Sequence, residues 1–139
     1  MPEVAQERTH WRDLKLSERH RLWGWDCPGI DIDFLFLEYD KGKAVALVEY
    51  KHEHAKPQER KHPSIMAMVD LGDRAGVPVF GVRYADDFSW WTITSLNVSA
   101  RELVPEQTTI TEKEWVTLLY KMRGYDLPEN LFDNPKVFI

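Results

Sequence analysis

The strongest constraint in this sequence is a pair of apolar, β-prone runs set almost end to end. Ile32-Asp33-Phe34-Leu35-Phe36-Leu37-Glu38-Tyr39 is separated by Asp40-Lys41-Gly42 from Lys43 and the run Ala44-Val45-Ala46-Leu47-Val48-Glu49-Tyr50-Lys51. Two such runs joined by a short loop ending in glycine form an antiparallel hairpin. A three-residue loop with Gly42 in the left-handed conformation pairs Tyr39 with Lys43. Counting outward from that pair, Glu49 falls opposite Asp33 and Lys51 opposite Asp31. Side chains alternate along a strand, so these four project from one face, with opposed Cβ atoms about 5 Å apart. A two-residue loop would slip the register by one and send the aspartates to the other face from Glu49.

The opposite face carries Ile32, Phe34, Phe36, Ala46, Val48 and Tyr50, while the carboxylate face also carries Leu35, Leu37, Val45 and Leu47. Apolar residues on both faces predict a hairpin covered on both sides, with Asp31, Asp33, Glu49 and Lys51 at the end of a largely buried ladder. Like charges gathered in a low dielectric are unfavourable unless a cation compensates them. A hard divalent ion with oxygen ligands answers this, Mg²⁺ taking one or two carboxylates and several waters, with Mn²⁺ as its substitute.

An acidic residue on one strand and Glu-x-Lys on the next, here Asp33 and Glu49-Tyr50-Lys51 sixteen residues apart, resembles the PD-(D/E)XK nuclease superfamily. The resemblance covers roughly Ser17 to Leu96. It implies an α/β, restriction-endonuclease-like fold, a mixed β-sheet flanked by helices, and Mg²⁺-dependent hydrolysis of phosphodiester bonds in DNA. It also implies Asp33 and Glu49 as metal ligands, the Tyr50 carbonyl as a third, and Lys51 as the cation that positions or activates the attacking water. Asp31 is the alternative acidic ligand, and no proline directly precedes either aspartate. Such sites often add a glutamate from the first helix, for which Glu7 and Glu18 are the candidates. Lys56, Arg60 and Lys61 then stand ready to grip phosphates beside the scissile bond. By the same analogy the chain works as a homodimer, since cutting a duplex takes two strand cuts. The rival reading keeps the fold as a non-catalytic nucleic-acid-binding or assembly module.

The rest of the chain completes an α/β pattern. Ser17 is a candidate cap for a short helix through Arg21. Ile65 to Leu71 has helical apolar spacing and stops near Gly76-Val77-Pro78, with Met66 and Met68 as core filler. Val79–Tyr84 and Trp90–Leu96 read as two more strands turned at Asp86-Asp87, with one of Trp90 and Trp91 packing inward. Thr111-Glu112-Lys113-Glu114 is a capping box opening a helix to about Met122, with Gly124 as its stop. The expected order is strand, strand, helix, strand, strand, helix. One domain spans 1–139, with a core of about 17–96 and a C-terminal helical extension of about 111–139.

Composition bounds the function classes. The 139 residues are 43% hydrophobic and 29% charged, which is globular rather than disordered. The formal net charge of −5 has the wrong sign for a protein that coats nucleic acid by electrostatics alone. Basic residues nonetheless concentrate between Arg8 and Arg21 and between Lys51 and His62. Arg19 and Arg21 are weaker candidates for phosphate contacts. Cys27 is the one cysteine, so no intramolecular disulfide or four-cysteine zinc site forms, and no catalytic partner for it is evident. His52 and His54 flank Glu53 without a complete zinc set and read as a solvated strand exit. Trp23 and Trp25 read as packing residues ahead of a base-stacking surface. No apolar run reaches the roughly 20 residues of a membrane helix, and the N-terminus lacks a basic-then-apolar leader, so a cytoplasmic chain without a membrane partner is expected.

Overall fold

A computed structural model describes residues 14–24, 28–57 and 59–133. The chain divides into two units, Met1–Asp31 and Ile32–Ile139. In the first, helix α1 (Leu14–Trp23) carries His20 and Arg21 in its last turn, where a basic charge complements the helix dipole, and buries none of its residues. Ser17 sits inside this helix rather than at its cap, because the helix starts three residues earlier than the capping residue suggests. Glu7, Trp25 and Cys27 lie outside the described residues.

In the second unit the hairpin forms between β1 (Phe34–Glu38) and β2 (Lys43–His52), with two departures that cancel. The loop holds four residues, not three, so Glu38 rather than Tyr39 faces Lys43. Gly42 still takes the left-handed conformation, φ 58°. A bulge between Phe36 and Leu37 then skips Val45, pairing Leu37 with Ala44 and Phe36 with Ala46. Beyond it Leu35 faces Leu47 and Phe34 faces Val48, which is the expected register at the end that matters for the carboxylates. Strand β1 is shorter than its apolar run, beginning only at Phe34.

Helix α2 (Pro63–Ala75) carries the chain over to β3 (Val79–Tyr84), which lies parallel to β2. A parallel pair needs such a crossover, since no tight turn can join strands running the same way. His62 caps α2 by accepting the Ser64 N–H, Pro63 opens it, and Gly76 ends it at φ 73°. Strand β4 (Trp91–Ser95) returns antiparallel to β3, the short helix α3 (Val98–Arg101) follows, and β5 (Gln107–Ile110) pairs with β4. Helix α4 (Glu112–Met122) opens on the reciprocal Thr111–Glu114 capping box. The result is a mixed five-stranded sheet in the order β1-β2-β3-β4-β5, flanked by helices. The sequence pattern misses α3 and β5. Both are four residues long, and Gln107–Ile110 lacks a long enough apolar alternation to announce a strand.

The two faces of the sheet are covered by different helices. Val48, Phe80, Val82 and Ile93 pack with Trp115 of α4, whereas Leu47 and Val79 pack with Met68 of α2. Trp115 is 1% exposed and its indole N–H donates to the Tyr50 hydroxyl at 3.0 Å. Burial pushes that hydroxyl's pKa up to about 12, although the Trp115 hydrogen bond favours the ionised form. Met68 is core as expected, but Met66 is 57% exposed, because it falls on the outer side of α2. The expectation of a hairpin covered on both sides fails at β1. Phe34, Leu35 and Leu37 are 40–47% exposed, since β1 is the edge strand and the buried clusters centre on β2, β3 and β4. Among the described residues no helix is long and apolar enough to cross a membrane.

Candidate active site

The parallel pairing of β2 and β3 places Glu49 and Lys51 near the carboxyl end of β2, beside Gly81 and Arg83. In open α/β sheets, ligands bind outside the carboxyl ends of the parallel strands. Glu49 and Lys51 share the face covered by α2, and Lys51 Nζ lies 3.5 Å from Glu49 Oε1. Their side chains retain 35% (Lys51) and 15% (Glu49) of their exposure, so the pair is sheltered but reachable.

Asp33 stands one residue ahead of β1 and closes the ladder with its side chain. Its Oδ2 accepts the Tyr50 N–H at 3.0 Å. In a strand a residue's N–H and C=O point to the same edge, so the Tyr50 carbonyl is directed to the edge where Asp33 sits. The negative charge of Asp33 also acts on Glu49. Glu49 titrates above the ordinary glutamate value, first because burial penalises its charge and then because Asp33 repels it, with Lys51 opposing both.

Asp33, Glu49, Tyr50 and Lys51 are therefore brought together as the register predicts, although Asp33 is exposed rather than at the end of a buried ladder. Asp31 is the last residue of the first unit and is exposed; Glu18 is exposed on α1. Among the described residues no group of three or more His, Cys, Asp or Glu side chains could hold a metal ion. The donor set here is two carboxylates and a carbonyl, which fits Mg²⁺, an ion that binds one or two protein carboxylates and keeps several waters.

The histidines go elsewhere. His52 Nε2 meets Asp86 Oδ1 at 2.8 Å and its Nδ1 accepts the His54 N–H at 3.2 Å, so both ring nitrogens are engaged in holding the strand exit. Arg83 is the residue that sequence reasoning missed here. Its guanidinium donates to the carbonyls of His52, Glu53 and Ala55, each at 3.0 Å, and pins the chain leaving β2. Nothing local announces this role, because it depends on β3 lying parallel beside β2.

Glu49 and Lys51 form one wall of a cleft of about 420 Å³ that also includes Arg60, Trp90, Thr92 and Thr94. A second depression, about 460 Å³, is lined by Lys51, Lys56, Lys61 and His62 among others. Lys56, Arg60 and Lys61 thus all border hollows that contain Glu49 or Lys51, and all three are exposed. Arg60 also donates to the Ser95 carbonyl at 3.3 Å, which holds it over the sheet. Of the two tryptophans that alternate faces, Trp91 packs with the α4-side core and Trp90 faces the cleft. Comparison of the chain with protein-family models, with curated proteins and with solved structures finds no match.

Proposed function

We propose that this chain is a metal-dependent nuclease of the PD-(D/E)XK type that hydrolyses phosphodiester bonds in DNA. The observation that carries the reading is the convergence of Asp33, Glu49 and Lys51 at the carboxyl end of β2. The order of strands, with β2 and β3 parallel across α2, supports the restriction-endonuclease-like version of the fold. Asp33, Glu49 and the Tyr50 carbonyl are the atoms that hold Mg²⁺ in this reading. When bound, such an ion lowers the pKa of a coordinated water and offsets charge on the phosphate.

The chain's own residues supply the rest. Lys51 acts as a fixed cation, tethered to Glu49, that orients the attacking water and offsets negative charge gathering on the phosphate oxygens. Tyr50, anchored through its hydroxyl to Trp115, keeps the backbone between the two catalytic side chains from shifting. Arg83 fixes the strand exit, so that Lys56 and Lys61 stay beside Lys51 and Arg60 stays in the cleft with Glu49.

The test is hydrolysis of branched, duplex and single-stranded DNA with Mg²⁺ or Mn²⁺, and again with EDTA. Cleavage is expected only with the metal, and Asp33→Ala, Glu49→Ala and Lys51→Ala are each expected to lower it by about 10²-fold or more. Cutting that survives Lys51→Ala or Asp33→Ala overturns the assignment. A non-catalytic module on the same fold is favoured by the net charge of −5 and by the absence, among the described residues, of a third acidic side chain at the site. Calorimetric titration with Mg²⁺ separates the two, since a retired site shows no carboxylate-dependent binding.

A further inference from the structure

Two hollows meet at Lys51, and Glu49 lines one of them; they differ in chemistry and share a wall. Lys51 and Pro57 line both. On one side, the depression of about 460 Å³ presents Lys56, Lys61 and His62, with Glu59 as its one acidic side chain. On the other, the cleft of about 420 Å³ is walled by Trp90, Leu96, Ile65 and Pro57, with Thr92, Thr94 and Gln107 as polar groups on the sheet. Thr92 and Thr94 are held in place by Thr109 and Gln107 across the β4–β5 pair, at 2.8 and 3.3 Å. A cationic hollow, a catalytic wall and an aromatic hollow therefore follow one another.

A phosphate suits the first hollow, and an apolar aromatic wall suits the flat face of a base. In a duplex those faces are stacked inside the helix and only phosphates, sugars and groove edges are offered to a protein. A tryptophan can take up a base face only if the base is unpaired, and base–aromatic stacking is indifferent to sequence. Each hollow is at the scale of a small-ligand pocket rather than a duplex groove. In a chain of net charge −5, Lys51, Lys56, Arg60, Lys61 and Arg83 around these hollows outnumber Glu49 and Glu59 and leave a local basic excess that complements a strand's phosphates.

Resting on the nuclease reading, we propose that the substrate is an unpaired DNA strand, threaded from the Lys56–Lys61 hollow across Lys51 into the second cleft, where one base stacks on Trp90. Trp90 is then a specificity residue that touches substrate without taking part in bond breaking. The strand's phosphates follow the lysines and its base turns towards the sheet.

The experiment measures binding of labelled oligo(dT) and of a duplex of the same length by fluorescence anisotropy, with EDTA present so that nothing is cut. The wild-type chain is expected to bind the single strand at least about tenfold more tightly than the duplex, and Trp90→Ala to lose about 5- to 100-fold of single-strand affinity. Trp90→Phe, which keeps an aromatic face, is expected to retain most of it, and circular dichroism of both variants checks the fold. Lys56→Ala with Lys61→Ala should flatten the salt dependence of single-strand binding by about 1.4 in log–log slope. Equal affinity for the duplex, no single-strand binding, or a Trp90→Phe variant as weak as Trp90→Ala overturns the strand path. The nuclease reading fails separately, if metal-dependent cleavage is absent while single-strand binding and its Trp90 dependence persist.

Discussion

Replacing Asp33 by Asn tests the charge balance on which the proposed metal site depends. The amide oxygen keeps the acceptor for the Tyr50 N–H, so the substitution removes charge and little else. Two unit charges about 4 Å apart at an effective dielectric of about 20 interact by about 4 kcal/mol, which is a ceiling. Asp33 is exposed and Lys51 lies 3.5 Å from Glu49, so solvent and the ammonium remove most of it. What is left is about 1 kcal/mol, the scale of a cross-strand charge pair. Without metal, Asp33→Asn is therefore expected to be more stable than the wild type by about 1 kcal/mol, or about 3 °C in Tm for a chain of this length. The size of the gain depends on pH. Glu49 is raised in the folded state, so between its ordinary and raised values the folded chain holds a proton that the unfolded chain has released. Stability therefore falls as pH rises through that window. Asp33→Asn makes that fall shallower but does not abolish it, because burial is the larger cause of the shift. If the proposed site binds Mg²⁺, the ion at a hundredfold over its Kd is expected to stabilise the wild type by about 2.7 kcal/mol and to leave the variant unmoved. Urea unfolding with EDTA and with Mg²⁺, on both sides of the carboxylate range, measures all of this. A variant no more stable than the wild type above that range, with an unchanged pH slope, refutes the reasoning.

Other substitutions probe the cation and the scaffold. Lys51→Met removes the positive charge beside the carboxylates, so Mg²⁺ affinity by calorimetry is expected to rise several-fold while cleavage falls by about 10²-fold; loss of both together would point to a collapsed site. Gly72→Ala drives a Cβ into Val79 Cγ2, and urea unfolding should show a loss of about 1–3 kcal/mol as α2 is pushed off β3. Asn97, 3% exposed, accepts the N–H groups of Val79 and Ala100 and donates to the Val77 carbonyl and Asp73. Its replacement by Ala strands buried backbone groups and is expected to cost about 3 kcal/mol in the same assay.

What the amino-acid sequence determined by itself is whatever neighbouring residues decide. The Thr111–Glu114 capping box, the left-handed stops at Gly76 and Gly124, and the boundaries of β3 follow from contacts within a few residues. The register of the hairpin at Phe34 and Val48, next to Asp33 and Glu49, is nearly as local, because a hairpin spans few residues. It matches the expected count even though the loop gained a residue, since the bulge at Val45 took it back. Tertiary structure alone decided the rest. That β1 is an exposed edge, that β5 exists, that Arg83 clamps the exit of β2, and that Trp90 and Gln107 share a cleft with Glu49 all depend on strands distant in sequence. Apolar periodicity tells a strand which of its faces is hydrophobic, but which strand lies beside it is settled by the packing of the whole sheet.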